Sequence, residues 1–249
     1  MGVETIRKAH RQLSAIIGAD NIEPLEVALE VERLRQEWRP PFVQTVLLAE
    51  SHVWTSRSEL RRRVRVPKRD ESGYVRFVYC LGYGESTLVT PNQDLKNSGT
   101  WQYWRLFHDC VYGPAKSAAV LKGVTRDDSC RIKAKLNLLA DMRDAGIWLV
   151  DASITGLVGP GKNVAPGAKY RNALSASWEC HARDVLRHHN PSKVLIVGKG
   201  VSAVLRENIQ DVLPQATLSV VPQPNARLSA TEITDTRQRC WNFVNDIDR

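Results

Sequence analysis

The chain alternates between amphipathic stretches and short, nearly continuous apolar runs. The runs at 43–49, 147–151, 193–197 and 217–221 predict strands, and the run at 73–81 predicts a further one. The nearly continuous apolar content of 43–49 is typical of a parallel strand that is buried on both faces. Amphipathic stretches predict helices over 3–38, 103–111, 132–145, 175–189, 201–209 and 231–246. This alternation predicts an α/β protein, a three-layer α/β/α fold with a central, mainly parallel sheet of four to five strands.

Composition narrows the class of protein. The 249 residues, 43% of them hydrophobic, are enough for one substantial core, so we expect a single domain over 1–249, with an N-terminal helical segment (1–38) and a core (40–246). The excess of 35 Lys and Arg over 27 Asp and Glu gives a net charge of +8, which suits a polyanion-binding protein but is also common elsewhere.

Further expectations concern compartment and metals. The chain has no long apolar run and no signal-peptide pattern at its N-terminus, which predicts a cytoplasmic protein without membrane attachment. Its five cysteines are singly spaced and its six histidines are scattered, so we expect reduced thiols and neither a metal site nor a cofactor.

Two polar loops follow apolar runs near opposite ends of the chain. They are residues 46–54 (Val-Leu-Leu-Ala-Glu-Ser-His-Val-Trp) and 220–229 (Val-Val-Pro-Gln-Pro-Asn-Ala-Arg-Leu-Ser). Ligands of open α/β sheets bind where strands end, so we expect the two loops to converge on one pocket.

These loops resemble the two signature motifs of the uracil-DNA glycosylase superfamily. Ala49-Glu50-Ser51-His52-Val53 lies over the first motif, a strand followed by a Gly-Gln-Asp-Pro-Tyr, Gly-Glu-Ala-Pro-Gly or Asn-Pro-Gly type loop. Glu50 falls where the iron-sulfur-containing branches carry their Glu. The segment Val221-Pro222-Gln223-Pro224-Asn225-Ala226-Arg227 is similar to the Met-Pro-Ser-Ser-Ser-Ala-Arg of thymine-DNA glycosylases.

Three intervening segments, 99–107, 148–155 and 191–201, also resemble family segments and occur in the family's order. The resemblance covers roughly residues 40–245 and implies a uracil-DNA glycosylase-like fold. It also implies a monomeric, monofunctional DNA repair enzyme without metal or cofactor. Such an enzyme flips uracil out of DNA and hydrolyses its N-glycosidic bond, leaving an abasic site.

The resemblance assigns catalytic roles to the two loops. Glu50 would hold or activate the attacking water and stabilise the sugar cation. Ser51 stands where other branches have Asp or Asn, and His52 replaces the usual proline and would donate to the base or to a phosphate. Gln223 takes the place of a His or Asn that contacts the base carbonyl. Alternatively, Glu50 caps a helix or pairs with nearby arginines.

Base recognition is implied for a second group of residues. Asp151 stands where the family uses an Asn to read uracil. An ionised Asp accepts from N3–H but faces the O4 lone pairs, whereas a protonated Asp satisfies both edges, and both forms stay open. Tyr83 is favoured over Tyr79 and Phe77 as the ring that stacks on the base, and Val53 lines the pocket. Alternatively, Asp151 caps the loop that follows its strand.

Contact with DNA is predicted for three places. Arg61, Arg62 and Arg63 belong to the most basic stretch, 57–69, and would hold phosphates, although a charge run is usually a solvated surface. In the second loop Asn225 would reach a phosphate, and Arg227, with Leu228 as the alternative, would fill the hole left by the flipped base. Lys199, between Gly198 and Gly200, would bind a phosphate at a helix N-terminus.

Two rival functions stay open. One is a binder of uracil-containing or abasic DNA that has the fold without the catalysis, and the other is an α/β hydrolase of nucleotides or other small phosphorylated substrates that uses the Gly198 turn.

The resemblance leaves the preferred base open, since hypoxanthine presents the same N–H and C=O pair. It predicts that Glu50→Gln removes most excision and leaves DNA binding, and that Asp151→Asn keeps or improves uracil excision.

Overall fold

Nine α-helices and nine strands are found in residues 2–93, 95, 99–159, 162–163 and 165–247, the part of the chain that the computed structural model describes. In chain order they are α1 (Val3–Ile17), α2 (Leu25–Glu37), β1 (Thr45–Ala49), α3 (Arg57–Leu60), β2 (Arg63–Val64), β3 (Ser72–Gly73), β4 (Val89–Thr90), α4 (Trp101–Tyr112), α5 (Asp128–Asp144), β5 (Ile147–Asp151), β6 (Val158–Gly159), β7 (Lys162–Asn163), α6 (Ala168–Ser177), α7 (Arg183–His189), β8 (Lys193–Val197), α8 (Lys199–Val212), β9 (Thr217–Val221) and α9 (Ala230–Asn245).

The centre of the fold is a four-stranded parallel sheet of order β5-β1-β8-β9. Thr45 in β1 lies between Ile147 of β5 and Lys193 of β8, and the register runs on from there along the strands. Every residue of β1, β5 and β8 is buried, because helices cover both faces of the sheet. The predicted three-layer α/β/α fold with a parallel central sheet is confirmed.

Helices form the two outer layers. One layer contains α4, α5 and α9, and the other contains α1, α6, α7 and α8, with α2 beside α1. One cluster of buried apolar side chains extends from Ile6 in α1 to Cys240 in α9. No helix within the described ranges combines the length and the apolar character that crossing a bilayer requires.

The N-terminal helical segment and the 175–189 helix are more divided than predicted. Gly18, with φ of +101°, ends α1, and Pro24 precedes α2, so residues 3–38 form two helices with a turn between them. The helix predicted over 175–189 begins earlier, at Ala168. A π-helical turn, Trp178–Ala182, lies in its middle and separates α6 from α7. Such π turns are frequent at functional sites.

The strand predicted over 73–81 is wrong. Only Ser72–Gly73 pairs as a strand, and the rest is a buried coil whose backbone bonds to several partners rather than to one ladder. Tyr74 N–H donates to the carbonyl of Arg62, and Arg76 N–H donates to the hydroxyl of Thr55. The coil instead protects the outer edge of β5, since the Tyr79 hydroxyl accepts from the N–H of Leu149.

Candidate active site

The carboxyl ends of the four parallel strands meet at one edge of the sheet. The chain passes from β1 to β5 on one side and from β8 to β9 on the other, so the strand order reverses between β1 and β8. Ligands of open α/β sheets bind outside such a switch point. Glu50 directly follows β1 and Gly198 directly follows β8, so Glu50 lies where a site is expected.

Glu50 is held by two donors from distant parts of the chain. Its Oε2 accepts a hydrogen bond from the Tyr170 hydroxyl and another from Nε2 of Gln223, each of 2.8 Å. Its Oε1 has no hydrogen-bond partner in the described part of the chain. Burial and the adjacent Glu50 charge raise the pKa of Tyr170, so this hydroxyl keeps its proton and remains a donor. The two polar loops therefore meet at Glu50, and one of its oxygens is left for a water or a substrate.

Two glycines make room for these donors. A Cβ on Gly198, which has φ of +122°, would lie 3.0 Å from Cγ of Gln223, and a Cβ on Gly200 would lie 2.9 Å from the Tyr170 hydroxyl oxygen. The Gly198-Lys199-Gly200 turn, predicted as a phosphate site, is therefore occupied on this side by the side chains that bind Glu50. The close approach of Gln223 and Tyr170 explains both glycines without a bound phosphate.

Glu50 opens into a cavity of about 240 Å³. Thr100 contributes a buried Oγ1 that has no hydrogen-bond partner among the residues described, which is unusual for a buried hydroxyl. The cavity is lined by Glu50, Ser51, His52, Val53, Tyr83, Gly99, Thr100, Gln102, Tyr103, Val158, Gln223 and Asn225. It thus brings together all four predicted catalytic residues and three of the four predicted base-binding residues, since Gln223 belongs to both groups.

A narrower pocket of about 50 Å³ shares Ser51, His52, Val53, Thr100 and Tyr103 with this cavity. Asp151 and Phe77 both line this narrow pocket. Tyr83, the ring predicted to stack on the base, is buried and lines the Glu50 cavity but not the narrow pocket. The structure therefore favours Phe77, the lower-ranked alternative, as the aromatic side chain next to Asp151.

Asp151 forms a buried ion pair. Its Oδ2 accepts a 2.8 Å hydrogen bond from Nη2 of Arg35 in α2, and both side chains are almost fully buried. Because a guanidinium is always charged, the ionised carboxylate is its matching partner. The ionised alternative for Asp151 is therefore favoured over the protonated one.

His52 lies between two carboxylates. Its Nε2 is 2.5 Å from Oε1 of Glu23, and its Nδ1 is 3.5 Å from Oδ2 of Asp151. Burial lowers the pKa of His52, but the charges and hydrogen bonds of Glu23 and Asp151 outweigh burial and raise the pKa to about 9. His52 is therefore a buried imidazolium whose Nε2 is engaged by Glu23, and its role as a donor to the base or to a phosphate stays a prediction.

Glu23 also fastens the loops that follow β1 and β5. Its Oε1 accepts from the N–H of Gly156, and its Oε2 accepts from the N–H of Thr55. Gly156 is required here, since a Cβ would lie 2.4 Å from the backbone nitrogen of Trp54. One buried carboxylate thus holds two loops of the site against each other.

The remaining residues of the first loop have structural contacts. Ser51 Oγ accepts a 3.1 Å hydrogen bond from the N–H of Leu157, so it ties the β1 loop to the β5 loop. Val53 pairs with Val158 in an isolated parallel bridge and lines both cavities. Ser51 and Val53 are thus tied to the neighbouring loop, whereas Glu50 keeps an open carboxylate oxygen toward the larger cavity.

The three predicted DNA-binding arginines at 61–63 do not form one surface with the cavity. Arg62 donates to the carbonyls of Pro91 and Gln93, Arg63 pairs with Glu71 at 3.6 Å, and Arg61 is exposed. None of these three arginines lines the Glu50 cavity. The basic stretch is thus partly neutralised, in line with the alternative of a solvated surface.

The second loop lies at the mouth of the site. Asn225 is exposed and lines the Glu50 cavity, and it borders a neighbouring cavity together with Leu228. Arg227 and Lys199 are exposed and line neither cavity. The loop position fits the predicted contact with DNA for Asn225 and Leu228 more directly than for Arg227.

The sequence interpretation did not identify Glu23, Arg35, Tyr103 and Tyr170. Burial, together with the charges of Asp151 and Glu50, raises the pKa of Tyr103, which lines both cavities and so faces both carboxylates. Arg35, Tyr103 and Tyr170 are polar side chains in helices and Glu23 lies in a turn before a proline, and such positions are too common to be specific sequence signals. Glu23 and Arg35 lie in the segment before residue 40, outside the resemblance.

Comparisons of the chain with protein-family models, with curated proteins and with solved structures find no match. Within the ranges that the structure describes, no group of three or more His, Cys, Asp or Glu side chains is arranged to hold a metal ion. The fold and site therefore define an α/β/α protein with a fixed carboxylate at the switch point of its sheet.

Proposed function

We propose that the protein is a DNA glycosylase that hydrolyses the N-glycosidic bond of uracil in DNA. The observation that carries this proposal is the carboxylate of Glu50, which two donors hold on one oxygen while the other faces a cavity at the switch point. The motif resemblance of the two loops supports the proposal, since the residues that resemble the motifs meet at this carboxylate.

In this proposal the flipped nucleotide enters the larger cavity and its base points toward the narrow pocket. Phe77 packs against the base, and the Asp151 carboxylate, paired with Arg35, accepts from N3–H of uracil. The unpartnered Thr100 hydroxyl donates to a base carbonyl. The negative Asp151 selects an N–H edge, which uracil and hypoxanthine present and which cytosine lacks at N3.

Glu50 acts on the sugar side. Its free Oε1 orients a water for attack on C1′, the C1′–N bond breaks, and the electron pair leaves with the base as an anion. The proton that the water loses passes to Glu50. Before the water adds, the fixed negative charge of Glu50 stabilises the positive charge that develops on the sugar, and Tyr170 and Gln223 keep the carboxylate in place.

The test is base excision from labelled oligonucleotides that carry one uracil, in single-stranded, U:G and U:A contexts, with hypoxanthine for comparison. Abasic sites are cleaved with alkali and read on a gel. We expect Glu50→Gln to lower the excision rate by at least about 100-fold, as loss of a transition-state charge does, while DNA binding is unchanged.

Glu207→Gln, which changes an exposed carboxylate on α8, is the matched control and should excise at the wild-type rate. An unchanged rate in Glu50→Gln would move the catalytic role to another side chain. Tight binding without release by the wild-type protein would indicate a silent binder of damaged DNA. Neither binding nor release would point to a small-molecule α/β enzyme.

A further inference from the structure

Trp101 is an exposed tryptophan beside the Glu50 cavity. It is the first residue of α4, is 57% exposed, and lies between two further cavities of about 260 Å³ and 440 Å³, both of which it lines. Arg105 lies one helical turn further and lines the same two cavities. A flat aromatic side chain and a cation thus face solvent from one side of one helix.

The charge of Arg105 is only partly compensated, by the nearby carboxylate of Asp109. No ion pair or hydrogen bond of its side chain is found across the residues that the structure describes. The nearest candidate partner, the buried Asp109, already accepts from Nε of Arg237 at 2.6 Å and from its Nη2 at 3.0 Å. Burial and repulsion by Arg237 lower the pKa of Arg105. Two guanidiniums therefore share one carboxylate, and an anion next to Arg105 would be favoured.

The surface around Trp101 is continuous with the Glu50 cavity. Gln102, the next residue of α4, lines both the Glu50 cavity and the 260 Å³ cavity. Gln223 and Asn225 line the same two cavities from the opposite side. A polymer with one unit in the Glu50 cavity would therefore place a neighbouring unit against Trp101.

We propose that Trp101 and Arg105 form a subsite for the nucleotide next to the one that occupies the Glu50 cavity. The base stacks on the indole and the phosphate binds the guanidinium. This inference rests on the proposed function, because it takes the ligand of the Glu50 cavity to be a nucleotide of DNA. A base can stack on Trp101 only after it has left its neighbours in a duplex, so the subsite selects single-stranded DNA.

The experiment measures binding of a fluorescently labelled oligothymidine to the full chain by anisotropy, over a series of salt concentrations. We expect Trp101→Ala to weaken binding about tenfold or more, which is the usual effect of losing one stacked base. Trp101→Phe should restore most of the affinity. Arg105→Gln should lower the slope of log K against log salt by about 0.7, the value for one phosphate contact on a single strand.

Two controls match these changes. Phe42→Ala removes an aromatic side chain that is 75% exposed and precedes β1 at the opposite edge of the sheet, and Arg206→Gln removes an exposed cation from α8. Both should bind as the wild type does. If Arg105→Gln bound weakly only because it was misfolded, the slope of log K against log salt would not fall by the value for one phosphate contact. If Trp101→Ala bound weakly for the same reason, the aromatic replacement Trp101→Phe would not restore the affinity.

The subsite is overturned if Trp101→Ala and the wild type bind the oligothymidine equally, if duplex DNA binds more tightly than the single strand, or if the wild type does not bind at low salt. A failure of the proposed function can be distinguished from a failure of the subsite. Trp101-dependent binding without any base release would retain the subsite and reject the glycosylase, whereas base release with binding that ignores Trp101 would do the reverse.

Discussion

At the scale of single residues, Asp151 combines a proposed role in base recognition with a buried ion pair. Its carboxylate lines the narrow pocket and is also the buried partner of Arg35. Arg35 also forms an ion pair with a second carboxylate, that of Glu32. Burial raises the pKa of Glu32, but the interactions with Arg35 and His181 outweigh burial and lower this pKa to about 2. The guanidinium thus balances two negative charges. Any change at Asp151 alters this balance as well as the pocket.

Asp151→Asn is therefore expected to destabilise the protein by about 3 kcal/mol, because it breaks a buried ion pair and leaves part of the charge uncompensated. Urea unfolding measures the change, and Asp144→Asn, at an exposed carboxylate, is the control with little effect. Excision, predicted to persist in Asp151→Asn, is to be measured where this variant is still folded. Equal stability of Asp151→Asn and the wild type would show that the pair contributes little net free energy.

At the scale of elements, the turn from β8 into α8 determines the geometry around Glu50. Gly198 and Gly200 leave space for Gln223, which follows β9, and for Tyr170 in α6. Three elements thus meet at one carboxylate because two positions of this turn carry no side chain. The turn influences the site without any contact of its own with Glu50.

Gly200→Ala tests this influence. A Cβ at this position would lie 2.9 Å from the Tyr170 hydroxyl oxygen, so we expect Tyr170 to move off Glu50 and excision to fall about tenfold, as for one lost hydrogen bond to a charged group. The thermal midpoint should not fall, because Ala is a better helix former than Gly at this exposed position of α8.

Gly123→Ala is the matched control, since no atom lies within 4 Å of a Cβ built there. It should excise at the wild-type rate. If Gly200→Ala also excised at the wild-type rate, Tyr170 would not position the carboxylate of Glu50 for the proposed reaction.

At the scale of the whole molecule, the N-terminal helical segment is part of the site. Glu23, in the turn between α1 and α2, binds His52 and two backbone N–H groups of the site loops, and Arg35 in α2 binds Asp151. The N-terminal segment therefore supplies the two charged side chains, Glu23 and Arg35, that bind His52 and Asp151 from outside residues 40–245. Its docking and the shape of the pocket depend on each other.

This dependence predicts how stability changes with pH. The pKa of His52 is raised from 6.5 to about 9 in the folded state, so its contribution is fully present below pH 6.5 and is lost as the pH rises through 9. We expect the wild-type free energy of unfolding to fall by up to about 3 kcal/mol more than that of His52→Gln over this range.

Urea unfolding at a series of pH values measures the difference, with His188→Gln, at an exposed histidine, as the control. Parallel pH profiles for the wild type and His52→Gln would mean that His52 is neutral in the folded protein.

The pattern of the sequence was sufficient for the central sheet. The runs at 147–151 and 193–197 correspond to β5 and β8, because strands buried between two helical layers require continuous apolar residues. The run at 217–221 corresponds to β9, an edge strand of which only Val221 is fully buried. The same rule failed at 73–81, where an apolar run is buried as coil against the edge of β5. Burial selects apolar residues whatever the backbone does, so a short run does not identify a strand.

For the site, the sequence by itself determined that Glu50 and Gln223 follow strands whose ends lie at one edge of a parallel sheet, and this follows from chain order and strand direction. Only the tertiary structure decided that Tyr170 completes the contact with Glu50, that Arg35 neutralises Asp151 and that Glu23 engages His52. These pairs join residues far apart in the chain. Hydrogen bonds and ion pairs act over a few ångströms in space, and no local pattern of residues encodes which distant side chains come that close.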